Sequence, residues 1–267
     1  MDQPLRGVGR TALSVARMRA VEHRRPDRLF ADPFAASFGA AGPPVVPRAG
    51  HEVRNLMIFQ VVIRTRFYDD YLLAATAAGI RQVVLLAAGL DTRAFRLDWP
   101  DGVRVFEADL PDVLAFKDAT LGDAEPRAGR VAVAADLRED WAARLRDAGF
   151  DPSRPTAWLV EGLLIYLSRD DAAALLDGID GESAPGSRLA FEDGSGTAWL
   201  IEQARADPDE FPAGPLWKGG LGEASTAWLE EHGWRVERHV LAEAAASYGR
   251  TPPEGVRGGF LTAECLP

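Results

Sequence analysis

Acidic residues follow two short apolar runs at spacings typical of a ligand-binding α/β sheet. The first run, residues 83–86, leads into Ala87-Ala88-Gly89-Leu90-Asp91. The second run ends in the acid pair Glu107 and Asp109, with 16 positions separating Asp91 from Glu107. A glycine after the first strand lets the loop backbone approach a ligand, and an acid ending the second strand can hold ribose hydroxyls. The alternative is an ordinary strand-to-helix turn with a solvated acid.

The loop after the first run holds one glycine, Gly89, where a dinucleotide site needs the pattern G-x-G-x-x-G. Because a pyrophosphate needs close approach by several backbone N–H groups, the missing glycines count against it. A ligand with a ribose but no phosphate fits better, and S-adenosylmethionine is such a ligand.

Two further acids follow apolar runs later in the chain. Asp136 and Leu137 come after a third predicted strand, where an acid can bond an adenine amino group and an apolar side chain can pack on the ring. Asp136 could equally cap the next helix. Glu161 follows a fourth strand and needs a cationic partner if it is buried. Either a ligand ammonium or an arginine of the N-terminal helices would satisfy it.

One basic residue stands out in the run Arg64-Thr65-Arg66-Phe67-Tyr68-Asp69-Asp70. The guanidinium of Arg64 could hold a carboxylate through two parallel hydrogen bonds. The competing interpretation is a charged helix surface.

The elements that must position these residues are readable from apolar periodicity. Spacings of three and four predict helices from Thr11 to Pro26 and from Glu52 to Gly79. After residue 81, short apolar strands alternate with helices, which indicates a mostly parallel sheet covered on both faces. The predicted strands are 83–86, 103–107, 131–134, 157–160, 188–191, 234–240 and 259–263, with the last two as an antiparallel edge pair. The predicted helices are 111–121, 138–148, 169–179 and 224–231, and 193–220 is predicted as a loop or lid.

Composition limits the function classes. A net charge of −10 argues against a nucleic-acid partner, because phosphate binding needs a basic face. The single cysteine, Cys265, rules out a disulfide within the chain, and four scattered histidines give no metal-ligand spacing. There is no signal-peptide pattern and no 18-residue apolar run, so we expect a cytoplasmic protein that neither spans nor binds a membrane. The oligomeric state stays open.

The motifs together resemble one family. They are RAVEHRRPDRLFADPFA, RTRFYDD, VLLAAGLDTRAFRL, VFEADLPDVLAFK, VAADLR and LVEGLLIYL, between about Leu13 and Leu167. Their order and spacing are similar to those of the leucine carboxyl methyltransferase-like S-adenosylmethionine-dependent O-methyltransferases, which include bacterial polyketide O-methyltransferases. The resemblance implies a Rossmann-like class I methyltransferase fold and methyl transfer to a carboxylate or hydroxyl of a small molecule such as a secondary metabolite.

The resemblance also implies individual roles for cofactor binding. The loop Ala88, Gly89 and Asp91 would lie under the methionine part of the cofactor. Asp109, with Glu107 as a second candidate, would bond the ribose. Asp136 and Leu137 would flank the adenine, Glu161 would face the amino group, and Arg64 would bind the carboxylate. Where the family often has glycine, this chain has Ala88.

The expected organisation is an N-terminal helical cap, residues 1–80, followed by a cofactor-binding domain, residues 81–267, with the lid at about 193–220. The acceptor pocket should lie between cap and lid, where Trp199, Phe211 and Trp217 could line it. No catalytic residue is identified, although a hydroxyl acceptor would want a base and His23, His51, Tyr166 and Asp193 are candidates. Two other functions remain: a cofactor-binding protein that has lost methyl transfer, and a nicotinamide oxidoreductase, which the missing glycines disfavour.

Overall fold

A computed structural model of the chain describes residues 9–41, 51–206 and 213–267, with side chains from residue 11 and, after the first gap, from residue 55. Its centre is a seven-stranded sheet in the order β3-β2-β1-β4-β5-β7-β6. All neighbouring pairs are parallel except those that β7 makes with β5 and β6. The strands are β1 Gln82–Leu86, β2 Arg104–Asp109, β3 Gly129–Ala134, β4 Thr156–Val160, β5 Arg188–Glu192, β6 Trp234–Val240 and β7 Gly259–Cys265.

Helices cover both faces of the sheet because alternate strand residues point to opposite sides. The helices are α1 Gly9–His23, α2 Ala35–Ala41, α3 His51–Ala77, α4 Arg93–Arg96, α5 Pro111–Leu121, α6 Trp141–Asp147, α7 Arg169–Gly181, α8 Thr197–Ala206, α9 Ala224–Glu231 and α10 Leu241–Ser247. On one face, Val84 and Leu86 join a core with α6, α7 and α9. On the other face, Val83 and Leu85 pack with α3, α4 and α10. The predicted doubly covered, mostly parallel sheet with an antiparallel C-terminal edge is confirmed.

The N-terminal helices pack on the sheet and on the loop after β1. The side chains of Ile63, Tyr68 and Leu72 on α3 are fully buried in the core of that face. Helix α1 lies over the β1 loop, where a Cβ at Gly89 would stand 3.5 Å from the Ala12 Cβ. Arg19 of α1 donates hydrogen bonds to the Leu90 carbonyl and to Asp32. The cap is therefore built against the edge at which the predicted site lies.

Several helices differ from the sequence-based expectation. Helix α8 lies inside the segment predicted as a loop or lid, and α2, α4 and α10 were not predicted. Helix α6 begins at Trp141 instead of residue 138, because the Asp140 carboxylate accepts the Ala143 N–H at 3.1 Å and caps the helix there. The predicted cap of α7 is confirmed: Ser168 and Asp171 form a reciprocal capping box.

The partly exposed Cys265 pairs with Trp234 across the β6–β7 ladder. Within the described residues, no helix is long and apolar enough to cross a membrane.

Candidate functional site

The carboxyl ends of β1, β2, β4 and β5 lie side by side, because these four parallel strands are neighbours in the sheet. The residues at these ends are the β1 loop from Ala87, Asp109 of β2, Glu161 after β4 and Glu192 of β5. Sequence analysis placed all but Glu192 at a single site. This edge of the sheet brings them together.

The β1 loop turns sharply at two positions. Ala87 and Gly89 both have positive φ, of 53° and 50°. The Ala88 N–H donates to the Ala108 carbonyl at 3.1 Å, and the Gly89 N–H donates to the Asp109 carboxylate at 2.6 Å. The turn therefore needs a left-handed residue at Ala87 as well as at Gly89, although a Cβ disfavours that conformation.

Asp109 joins the β1 loop to the end of β2. One carboxylate oxygen accepts the Gly89 N–H and the other accepts the Leu110 N–H at 2.7 Å. Burial raises the pKa of Asp109, and these two hydrogen bonds only partly oppose the shift. Asp109 is thus a half-buried carboxylate that two backbone N–H groups hold in place at the predicted ribose position.

Glu161 and Glu192 share Arg64 of α3. The Arg64 Nε lies 2.8 Å from a Glu161 oxygen, and its Nη1 lies 3.0 Å from a Glu192 oxygen. The Gly162 N–H donates to both Glu192 oxygens, at 2.9 and 3.0 Å. Arg64 is therefore part of a largely buried ion-pair network and does not belong to a charged helix surface.

Arg93 connects the second Glu161 oxygen to other acids. Its Nη1 is 2.7 Å from Glu161 and also contacts Asp91, while its Nε is 2.7 Å from Asp69. Asp69 in turn holds Arg96 through two hydrogen bonds of 2.6 Å. We call Arg64, Arg93, Arg96, Asp69, Asp91, Glu161 and Glu192 the strand-end charge cluster.

Burial and ion pairing compete within the strand-end charge cluster. Burial acts to raise the pKa of Asp91, but Arg93 and then Lys117 outweigh it and lower the value to about 2. Burial is likewise overcome at Glu161, whose pKa Arg93 and Arg64 lower. At Glu192 burial prevails over Arg64, and the pKa is raised. Glu192 is therefore the carboxylate of the three whose proton affinity is increased.

Glu107 occupies a different environment from Asp109. Its side chain is completely buried and lies 2.8 Å from the Lys117 Nζ and 2.6 Å from the Arg130 Nε. A carboxylate held by two cations inside the fold stabilises the packing of α5 and β3 against β2. Both cations contact Oε2, whereas Oε1 is buried without a hydrogen-bond partner among the described residues. Of the two acids predicted for the ribose, Asp109 is the more accessible, and both assignments stay predictions.

Asp136 and Leu137 follow β3 in a turn. Asp136 accepts the Arg138 N–H at 3.0 Å and its Nε at 2.9 Å, and these bonds lower the pKa of Asp136 to about 2. Leu137 is partly buried against the core. Since Asp140 caps α6, the helix-cap alternative for Asp136 is wrong, and the ionised carboxylate stands at the carboxyl end of β3.

The base candidates have varied surroundings. The His23 Nδ1 accepts the Asp32 N–H at 3.2 Å, and the buried Asp193 holds Ser195 and, at 2.8 Å, Arg238. Tyr166 ends a short 3-10 turn and is half-buried. The side chain of His51 lies outside the described residues. The structure singles out no base among them.

A cleft opens between α3, α8 and the loop before β7. Its described lining includes Leu56, Gln60, Trp199, Leu200 and Arg257. The cleft lies between the N-terminal helices and the 193–220 segment, and its identity as the acceptor pocket stays a prediction. Trp199 lines it, Trp217 does not, and Phe211 lies outside the described residues.

The mostly parallel sheet with an antiparallel C-terminal edge is the Rossmann-like fold of class I methyltransferases. The family description "Leucine carboxyl methyltransferase" matches residues 12–180. A candidate S-adenosyl-L-methionine-dependent methyltransferase of a Parafrankia species is 52% identical over 97% of this chain and 87% of its own length. One from Streptomyces avermitilis is 45% identical over 96% of this chain and 95% of its own. The chain belongs to the leucine carboxyl methyltransferase family and is an S-adenosylmethionine-dependent methyltransferase.

A solved structure agrees on the fold. A DUF574 family protein from Streptomyces avermitilis superposes with a TM-score of 0.62 over 94% of this chain and 97% of its own, at 18% identity. The shared feature is therefore the architecture.

Several buried polar atoms near the strand ends have no hydrogen-bond partner among the described residues, as expected for a site that takes a polar ligand; the Tyr68 hydroxyl and the Glu107 Oε1 are two of them. The Tyr68 hydroxyl is fully buried and has no hydrogen-bond partner among the described residues. Burial, and then the carboxylates of Glu192 and Glu161, hold the pKa of Tyr68 well above its ordinary value. A buried hydroxyl without a partner costs free energy, so a polar ligand group here would satisfy it.

Sequence reasoning missed Glu192, Arg93 and Tyr68. For Glu192 a signal existed, because it directly follows the predicted strand 188–191, as Glu161 follows 157–160. Arg93 is inconspicuous in the sequence, since its partners Asp69 and Glu161 are 24 and 68 positions away.

Proposed function

We propose that this methyltransferase transfers the methyl group of S-adenosylmethionine to an oxygen, carboxylate or hydroxyl, of a small molecule such as a secondary metabolite. The observation that carries the proposal is the position of the cleft. It lies on α3 at Gln60, one turn from Arg64, so that the helix that contributes Arg64 to the strand-end charge cluster also forms a wall of the cleft. The family match to carboxyl methyltransferases supports oxygen as the acceptor atom.

Individual residues take the following proposed parts. Asp109 accepts the ribose hydroxyls, Ala88, Gly89 and Asp91 shape the loop beneath the methionine part, and Asp136 with Leu137 flanks the adenine. Glu161 and Arg64 face the amino and carboxylate groups. Because these two side chains already neutralise each other at 2.8 Å, a zwitterionic amino acid would exchange one ion pair for two.

The cofactor supplies a sulfonium-bound methyl group that is already electrophilic. The chain's part is to align donor and acceptor and to exclude water, which can contribute on the order of 7–11 kcal/mol. An ionised carboxylate acceptor needs no base, whereas a hydroxyl must lose its proton. The buried strand-end charge cluster holds its charges in fixed positions, which preserves alignment.

Two separate segments of the chain form the acceptor site in this proposal. Residues 1–80 contribute the α3 wall of the acceptor site, and the 193–220 segment contributes the α8 wall. The net charge of −10 favours a small-molecule acceptor over nucleic acid. A single cysteine fits a reducing compartment, and we place the enzyme in the cytoplasm, away from the membrane.

The test is to incubate the protein with S-adenosylmethionine and a panel of carboxylic acids and phenols, and to measure S-adenosylhomocysteine. Treating products with alkali separates the acceptor types, because methyl esters are hydrolysed and methyl ethers survive. We expect acceptor-dependent S-adenosylhomocysteine and an O-methyl product. Methylation at nitrogen or carbon would refute the oxygen assignment. Tight cofactor binding without turnover on any acceptor would favour the repurposed cofactor-binding protein.

A further inference from the structure

The cleft and the strand-end charge cluster are connected by one face of α3. Gln60, Arg64 and Tyr68 are spaced by four residues and therefore lie on one stripe of the helix. Four residues correspond to roughly 6 Å along the axis. Gln60 lines the cleft, while Arg64 holds Glu161 and Glu192. The cleft thus begins about one helical turn from the strand-end charge cluster.

The described walls of the cleft are mainly apolar. Leu56 stands on α3, one turn before Gln60, and Trp199 and Leu200 face it from α8. These side chains offer apolar surface and an indole ring against which a flat hydrocarbon body can pack. Gln60 adds an uncharged polar group on the side nearer Arg64.

Arg257 is the only charged residue among the described residues lining the cleft. It is exposed, and no hydrogen bond or ion pair joins it to any other described residue. By contrast, the nearby Arg250 pairs with Glu22 and Asp27. Other described arginines, such as Arg24 and Arg169, are also without a side-chain partner, but of these only Arg257 lines the cleft.

The backbone beside Arg257 is fixed against the start of α8. A Cβ added to Gly196 would lie 3.4 Å from both the N and Cα atoms of Gly258, so the two segments touch through glycines. This contact holds the Arg257 backbone at the cleft instead of leaving it on a detached loop.

We infer that the methyl acceptor carries, besides the oxygen that is methylated, a second anionic group that Arg257 binds. The acceptor class is a small molecule with a flat apolar body and a carboxylate. The body lies between Leu56 and Trp199, and the carboxylate takes two hydrogen bonds from the guanidinium. This inference rests on the proposed function, because it identifies the cleft as the acceptor site.

The test measures binding of matched anionic and neutral probes to the protein saturated with S-adenosylhomocysteine. Three pairs serve: 2-naphthoic acid, 4-hydroxycinnamic acid and indole-3-acetic acid, each with its primary amide. Dissociation constants come from ligand-observed NMR. For wild type we expect each acid to bind about tenfold more tightly than its amide, with the preference falling at high salt.

Variants assign the preference to a residue. Arg257→Gln should reduce the acid-to-amide ratio to about one, and Arg257→Lys should retain part of it. Arg235→Gln is the matched control, because Arg235 is exposed on β6 and pairs with Glu264. It should leave the ratio at the wild-type value.

The inference is overturned if wild-type protein binds no acid more tightly than its amide, including the case in which none binds. It is also overturned if the preference survives in Arg257→Gln. Failure of the proposed function looks different. In that case the anion preference and its dependence on Arg257 persist, but no acceptor yields S-adenosylhomocysteine.

Discussion

Replacing Arg93 by methionine should destabilise the fold strongly, because Arg93 is the centre of the strand-end charge cluster. Its side chain is 2% exposed and contacts Asp69, Asp91 and Glu161. Without it, Asp69 keeps Arg96 and Glu161 keeps Arg64. Asp91 loses the arginine that contacts it, so most of the cost falls on this buried carboxylate.

Removing one partner from a buried ion pair typically costs 3–5 kcal/mol, and we expect about 4 kcal/mol for Arg93→Met at pH 7. A chain of this size loses roughly 2–4 °C of melting temperature per kcal/mol, so the expected drop is about 12 °C. Urea denaturation followed by circular dichroism measures the free energy of unfolding directly. Arg93→Lys should lose less, because an ammonium keeps the charge but cannot contact all three acids.

The pH dependence of the free energy of unfolding gives a second, independent test of the Arg93 prediction. In wild type, Arg93 and then Lys117 outweigh burial and lower the pKa of Asp91 to about 2, below its unfolded value near 4. This stabilisation is present above pH 4 and is lost as the pH falls towards 2. In Arg93→Met the buried Asp91 takes up its proton more readily. The stability difference between the two proteins should therefore shrink from pH 7 to pH 4.

Arg127→Met is the matched control. Arg127 pairs with Asp98 at 2.5 Å, but the two side chains are 55% and 93% exposed. Exposed pairs contribute little, so we expect a change below about 1 kcal/mol. The reasoning would be refuted if Arg93→Met cost no more than this control, or if its cost did not fall with pH.

Three further predictions concern the site and its supports. Asp109→Asn should weaken S-adenosylmethionine binding by about 1.5–3 kcal/mol, as measured by calorimetry. Glu107→Gln should instead lower the stability of the protein and leave its affinity for S-adenosylmethionine unchanged. Equal affinities for wild type and Asp109→Asn would contradict the ribose assignment. Gly162→Ala should lower the free energy of unfolding in urea by about 1–2 kcal/mol, because Gly162 has a φ of 66° and a Cβ would lie 3.4 Å from the Arg64 Nη1. An unchanged urea midpoint would show that the turn relaxes. Ser168→Ala should cost about 1 kcal/mol by removing the cap of α7, and Ser168→Asp, which can still cap, should restore most of it.

The sequence was most informative where burial imposes a simple pattern. Strands such as Val83 to Leu86 are buried on both faces, so they read as short apolar runs bounded by turns. Helices α2 and α8 were missed because glycines and prolines surround them, and α10 because it follows β6 directly, with Leu241 next to Val240. The turn signal that separates elements elsewhere is absent at that junction.

Site prediction followed the same division. Acids at strand ends could be found because a parallel sheet brings those ends together, which is how Asp109 and Glu161 were grouped. What each acid contacts depends on distant residues. Glu107 and Asp109 are two positions apart on one strand, yet Glu107 meets Lys117 and Arg130 while Asp109 meets backbone N–H groups. No local pattern separates those two environments.

The position of Cys265 makes the protein suited to labelling with a single reporter. It is the only cysteine in the sequence. It stands five residues from Phe260, which pairs with Glu192, so roughly 17 Å of strand separates the thiol from the carboxyl edge of β5. Burial raises the pKa of the Cys265 thiol, so coupling to a maleimide will be slow and will favour mildly alkaline buffer. A fluorophore attached there follows rotational diffusion and ligand-linked changes without blocking the ligand edge, and no other thiol has to be removed first.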